Sequence, residues 1–186
     1  GLKSPAYLKL NPMGKMPTLE VDKQGIGESS IICDYLDDVY PQKAGLPADA
    51  LGRARSRLVA RIADLYLAQH VGPLFRNMNP DKRDPAAVDA AGKEIAKAYG
   101  YLEQVMDSGP FCVGKEPTLG DAALGTMTAM LHQMLAAGGF AITDPVGSGR
   151  LATWWKAVQD HAVCGPVIKE HGTAFGGFLK MMTGRK

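Results

Sequence analysis

The run Leu10-Asn11-Pro12-Met13-Gly14-Lys15-Met16-Pro17-Thr18-Leu19-Glu20-Val21-Asp22, with Gly27-Glu28-Ser29-Ser30-Ile31-Ile32 close behind it, decides how this sequence folds. Pro17 to Asp22 reads as an extended stretch, and its leading proline, which cannot donate to a ladder, belongs at a strand start or on an edge. Gly25 and Gly27 punctuate a turn after it, and Ser29 to Tyr40 has a helical pattern. Pro5 to Leu10 makes a short helix in front. Residues 1–40 therefore form an α/β fragment.

Two elements in this stretch carry chemistry. A trans bond is the ordinary case before proline; a cis Met16–Pro17 bond would leave the amide and carbonyl of Met16 unpaired by the sheet and open to an extended peptide. Glu28-Ser29 sits where a Gly-bearing turn enters a helix. Unpaired amides and partial positive charge at that helix start suit a carboxylate at Ser29, and Glu28 suits an amine. A molecule with a peptide backbone and an α-amino acid head fits both. Read one at a time, Ser29 is a plain N-cap and Glu28 a solvated acid.

Beyond Pro41 the character changes. Pro41 to Asp49 reads as a linker through Pro41, Gly45 and Pro47, and only helical patterns follow. The first, Leu51 to Phe75, is expected to bury Leu58, Ile62, Leu65 and Gln69 and to carry Arg53, Arg57 and Arg61 on another face. Asn77 to Pro85 is a loop, and helices are predicted over Ala86 to Asp107, Leu119 to Ala137, Gly149 to Val163 and His171 to Met181. Thr118-Leu119-Gly120-Asp121 fits a capping box, whose loss typically costs about 1 kcal/mol. No internal repeat is visible. The expected organisation is an α/β domain over 1–41, a linker over 42–49 and an all-α domain over 50–186.

Composition narrows the function. The 186 residues carry 21 Lys and Arg against 19 Asp and Glu, a net charge of +2. The basic residues are scattered, so nucleic acid is not an expected partner. Residues 122–143 hold no Asp, Glu, Lys or Arg, but their polar and Gly content and acidic flanks indicate a buried helix rather than a membrane span. Cys33, Cys112 and Cys164 are widely spaced and the four histidines are never paired at ligand spacing, so free thiols in a reducing compartment and no metal are expected. Gly25-Ile26-Gly27-Glu28-Ser29-Ser30 approaches a dinucleotide fingerprint but has Ser30 at the third glycine.

The motifs Ser4-Pro5-Ala6-Tyr7-Leu8, Asn11 to Leu19, Glu28-Ser29-Ser30-Ile31-Ile32, Tyr35-Leu36 and Tyr40-Pro41, with the Thr118-Leu119-Gly120-Asp121 box, resemble the cytosolic, bacterial-type glutathione S-transferases across essentially the whole chain. That resemblance implies an α+β/α fold, a partial thioredoxin-like domain followed by an all-α domain. It implies a cis Pro17, Met16 meeting the cysteinyl backbone of glutathione, Glu28 and Ser29 holding its γ-glutamyl head, and Lys15 near its glycyl carboxylate. Tyr66 and His70, four apart on one helix face, would border the pocket for a small hydrophobic electrophile. It further implies a cytoplasmic homodimer using glutathione as co-substrate in detoxifying transfer. In the family a β-α-β segment carrying the thiol-activating Tyr, Ser or Cys precedes the short helix with which this sequence opens. The sequence is expected to lack that segment, no catalytic residue is named, and the 186 residues alone are expected to show little turnover. The competing reading is a non-catalytic binding or assembly module of the same shape.

Overall fold

The computed structural model describes residues 1–183. The chain divides into two compact units, Gly1–Leu46 and Pro47–Lys186, at a point within the proline- and glycine-bearing stretch after residue 41.

The first unit runs α1 (Pro5–Leu10), β1 (Thr18–Val21), β2 (Gln24–Gly27) and α2 (Ser29–Val39), ending in a 3-10 turn at Pro41–Lys43. Helix α1 starts on Ser4, whose hydroxyl accepts the Tyr7 amide at 3.3 Å, with Pro5 in the first turn, where its missing N–H costs nothing. The two strands pair antiparallel, Thr18 with Gly27 and Val21 with Gln24. The connecting turn is Asp22-Lys23, with φ of 48° and 65°. Two consecutive left-handed residues match the right-handed twist of a hairpin. The turn expected at Gly25 and Gly27 is thus corrected: both glycines lie inside β2, for a packing reason. A Cβ on Gly25 would stand 1.9 Å from the Leu10 carbonyl oxygen, so glycine lets the end of α1 press onto the strand. Asp37 of α2 is buried and accepts the Leu46 amide at 3.1 Å and the Gly45 amide at 2.5 Å, which ties the exit of the unit to its second helix.

The second unit is all α: α3 (Ala50–Ile62), a π-helical stretch (Ala63–Leu67), α4 (Ala68–Arg76), a 3-10 turn (Pro80–Lys82), α5 (Pro85–Val105), α6 (Leu119–Gly138), α7 (Gly149–Asp160) and α8 (Cys164–Thr183). Asp49 caps α3 by accepting the Gly52 amide at 2.8 Å, and Asp84 caps α5 by accepting those of Ala86 and Ala87 at 2.9 and 3.2 Å. The core gathers Leu67, Leu74, Ile95, Tyr99, Leu102, Leu124, Leu131, Met134, Trp154 and Leu179 around α6. No helix among the described residues is long and apolar enough to cross a membrane.

Two expectations fail here. Leu58 and Leu65 are 45% and 49% exposed, and Gln69 is exposed too; of the four residues placed on the inner face only Ile62 is buried. The buried line is Ser56, Val59, Ala63, Leu67, Val71 and Leu74. Small residues set that line because the helices touch: Gly120 of α6 donates its amide to Ser56 Oγ at 3.0 Å, and a Cβ there would lie 2.7 Å from the Ser56 carbonyl oxygen. The π stretch then adds a residue to the turn and breaks the 3.6-residue count. The last helix begins at Cys164, seven residues before the expected His171, because Gly165 and Pro166 belong to its first turn, where proline is tolerated. The imidazole of His161 supplies its cap, Nδ1 accepting the amides of Val163 and Cys164 at 3.3 and 3.2 Å.

Candidate functional site

The hairpin brings the two chemical elements to one end of the sheet. Thr18 and Gly27 are its last paired residues; Pro17 and Glu28 flank them, with Met16 and Ser29 one step further out on each strand. All four are exposed. The Met16–Pro17 peptide bond is cis. The Met16 side chain is 73% exposed, and its amide and carbonyl have no partner among the described residues. In α2 the first internal bond is Ile32 N–H to the Glu28 carbonyl at 3.0 Å, so the amides of Ser29, Ser30 and Ile31 lack acceptors among the described residues. Those amides and the helix dipole make the corner attractive to an anion. Glu28 itself has φ 67° and ψ 120° with no capping hydrogen bond from its side chain. A non-glycine residue in that conformation carries roughly 1–3 kcal/mol of strain, which marks functional corners more often than idle ones.

The loop leading to Pro17 is clamped from α1. The Lys15 carbonyl accepts from the Tyr7 hydroxyl at 2.7 Å, from Asn11 Nδ2 at 2.9 Å and from the Thr18 hydroxyl at 3.3 Å. Asn11 Nδ2 also donates to Thr18 Oγ1 at 2.9 Å, Tyr7 Oη lies 2.8 Å from that hydroxyl, and Asn11 Oδ1 accepts the Met13 amide at 3.1 Å. Asn11 is only 2% exposed, so its side of the network is shielded from competing water, while the bonds of the Tyr7 and Thr18 hydroxyls to the Lys15 carbonyl are exposed. Tyr7, Asn11 and Thr18 thus fix the backbone on which Met16 is presented, while the Lys15 side chain stays exposed beside it. Sequence reading did not find this clamp. Its signal was the four-residue spacing of Tyr7 and Asn11 at the end of a short helix, which puts them on one face.

Cys33, one helical turn into α2, has its thiol pushed up by partial burial and, to a smaller degree, by the Asp34 carboxylate. It is not an activated nucleophile. Tyr66 and His70 belong to the second unit. Tyr66 lies in the π stretch, half exposed, with its ring edge-to-face on Tyr101 at 5.9 Å; His70 is half-buried in α4. Among the described residues no three His, Cys, Asp or Glu side chains are grouped to hold a metal ion.

This α/β hairpin corner joined to an all-α bundle defines a class. Residues 1–44 match the family described as glutathione S-transferase, N-terminal domain, and residues 85–157 match glutathione S-transferase, C-terminal domain, together more than half of the chain. The chain belongs to the glutathione S-transferase family. Among individual relatives, it is 33% identical over 127 residues to a maleylacetoacetate isomerase of Pseudomonas aeruginosa, covering 66% of this chain and 59% of the relative. To the Dictyostelium discoideum maleylacetoacetate isomerase it is 32% identical over 126 residues, covering 66% and 58%. The chain therefore spans less than two thirds of the length of these curated relatives. Among solved structures, a rice glutathione S-transferase in complex with glutathione superposes with a TM-score of 0.74 at 26% identity, covering 98% of this chain and 82% of that one. A delta-class glutathione transferase of Nilaparvata lugens gives the same TM-score at 23% identity, again covering 98% and 82%, and shows the shared fold. A thioredoxin-like α/β portion followed by an all-α region is that fold.

Proposed function

We propose that the hairpin corner binds glutathione and that the protein uses its sulfur as a nucleophile toward a small hydrophobic electrophile. The free amide and carbonyl of Met16 suit strand-like bonds to the cysteinyl residue. The unpaired amide and hydroxyl of Ser29 suit the α-carboxylate of the γ-glutamyl head, and the Glu28 carboxylate its ammonium. The Lys15 ammonium suits the glycyl carboxylate. Tyr66 and His70 are proposed to border the place of the second substrate. The thiolate is the reactive form, and binding in a fixed orientation removes much of the entropy cost of a bimolecular step. A homodimer is part of the same proposal. The observation that carries it is the strained, exposed Glu28 beside an unpaired helix start, at the same hairpin end as Met16.

A second reading is supported by the names of the relatives above: the glutathione sulfur adds to a cis double bond conjugated to a carbonyl, and rotation followed by its departure yields the trans isomer. Both readings share the binding step. Titration of the chain with glutathione, followed by amide shifts in NMR, is expected to move Met16, Ser29 and Ser30 first, and Ser29→Ala to weaken binding about tenfold. Unmoved amides at these residues under saturating glutathione would reject the proposal. With binding in hand, product analysis with a chloronitrobenzene and with a cis-enone dicarboxylate separates transfer from isomerisation.

A further inference from the structure

The elbow between α7 and α8 turns on a single imidazole. Helix α7 ends at Asp160 and α8 begins at Cys164. His161 stands between them in the place that Ser, Thr, Asp or Asn usually hold at a helix start. Its Nδ1 accepts the amides of Val163 and Cys164 at 3.3 and 3.2 Å, and its carbonyl accepts the Gly165 amide at 2.9 Å. Its own amide goes to the Ala157 carbonyl at 3.1 Å, so the same residue also closes α7. The elbow is tight: a Cβ on Gly165 would stand 2.2 Å from the Gln159 carbonyl oxygen, which packs the end of α7 onto the first turn of α8. The His161 ring is seated edge-to-face on Phe111 at 5.6 Å.

Histidine differs from the usual capping residues in that a proton removes its acceptor. A neutral imidazole has one acceptor nitrogen; an imidazolium has none, since both nitrogens then donate. Protonation would set Nδ1–H against the two amides it now serves and place a positive charge at the positive end of α8. The carboxylates around it are already engaged. Asp160 of α7 is paired with Lys156, and Asp121 of α6, which acts on the Cys164 thiol, accepts from four donors. On the loop that carries Phe111, the Asp107 carboxylate accepts the Gly109 and Gly114 amides, and Cys112 is a buried thiol. The remaining charged or titratable neighbours are Arg150 of α7, which holds the Phe111 carbonyl, and Lys169 of α8 and His132 of α6, which line the same cleft as His161. None of these accepts a cation. The negative end of α7 does favour one, which draws a charged ring away from the start of α8.

We propose that His161 is an acid-sensitive latch: neutral, it holds the first turn of α8 against the end of α7; protonated, it lets that turn go. The latch does not depend on the glutathione reading. The test compares the full chain with His161→Asn, whose side-chain oxygen accepts amides whether or not the solution is acid. Hydrogen exchange followed by NMR at pH 8 and pH 5, on either side of the ordinary imidazole titration at about pH 6.5, reads the protection of the Val163, Cys164 and Gly165 amides against those of Ile95 and Leu102 in α5. Elbow protection is expected to fall about tenfold in the wild type between the two pH values and at most about twofold in His161→Asn, with α5 unchanged in both. The imidazole nitrogen-15 spectrum of the wild type at pH 8 is expected to show Nδ1 without a proton. A protonated Nδ1 at pH 8, equal elbow protection at the two pH values in the wild type, the same fall in His161→Asn, or a fall shared by α5 would each overturn it.

Discussion

Trp154 donates its indole N–H to Asp121 Oδ1 at 2.8 Å, the oxygen that also accepts the Cys112 amide at 2.8 Å. The other oxygen accepts the Thr118 amide at 2.7 Å and the Thr118 hydroxyl at 2.8 Å. Four donors converge on one carboxylate that is 1% exposed. Asp121 therefore does more than close the box at the start of α6: it joins that helix to the loop before it and to α7.

Removing it should cost far more than the roughly 1 kcal/mol of a cap alone. Each buried donor left without an acceptor costs about 1–3 kcal/mol, so Asp121→Ala is expected to lose at least about 3 kcal/mol, read as a lower urea midpoint at unchanged slope. Asp121→Asn keeps the volume but turns one acceptor into a donor facing donors, and is expected to lose about 2 kcal/mol. A loss below about 1 kcal/mol in both variants would show that the four bonds are not a stability centre.

Glu28 sets stability against binding. Glycine adopts φ 67° without a Cβ clash, so Glu28→Gly removes roughly 1–3 kcal/mol of strain and gives back about 0.5–1 kcal/mol in unfolded-state entropy. A net gain of about 1 kcal/mol is expected, together with at least a tenfold loss of glutathione affinity. Glu28→Ala keeps the strain and loses the carboxylate, so it should weaken binding alike without the stability gain. Unchanged affinity in both variants would remove Glu28 from the proposed contacts.

The Tyr7 clamp gives a milder outcome. Tyr7→Phe deletes the bond to the Lys15 carbonyl and the one to Thr18 Oγ1, while Asn11 still holds both atoms. A stability loss of about 1 kcal/mol is expected, with a several-fold weaker glutathione affinity because Met16 is less firmly presented. Asn11→Ala, which opens the buried side of the network, should be worse on both counts. Equal effects on stability with no effect on affinity would confine the clamp to folding.

What could be read in the sequence was whatever local chemistry dictates. Pro17 announced a strand start, Asp121 a cap and Pro47 a break, each through the conformations a single residue allows. The residues that only tertiary contact explains were opaque. Gly25 looked like a turn residue, yet it is glycine because the Leu10 carbonyl lies against it; Ser56 looked indifferent, yet α6 packs on it. Leu58 and Leu65 have the right spacing for a core face, and the π stretch with its small neighbours turns another line inward. At the corner, Glu28 and Ser29 were legible as residue types. The positive φ of Glu28 was not, because strain of that kind is imposed by the hairpin and helix on either side.

The cysteines supply a pH signature with a definite sign. Burial raises the pKa of all three thiols, with smaller contributions from Asp34 at Cys33 and from Asp121 at Cys112 and Cys164; the shift at Cys112, which is buried, is the largest. A folded pKa above the unfolded value of about 8.5 favours the protonated native state, so this stabilisation is complete below about pH 8.5 and is lost as pH rises toward the folded value. The urea midpoint of the wild type should fall from pH 8 to pH 10 more steeply than that of Cys112→Ala, whose midpoint starts lower because of the lost packing. The same shift keeps thiolate scarce at neutral pH. Cys33 and Cys164 should alkylate with iodoacetamide more slowly than free cysteine at pH 7, and Cys112 only on unfolding. A slope in Cys112→Ala equal to that of the wild type, or rapid labelling of native Cys112, would contradict the burial that sets its chemistry.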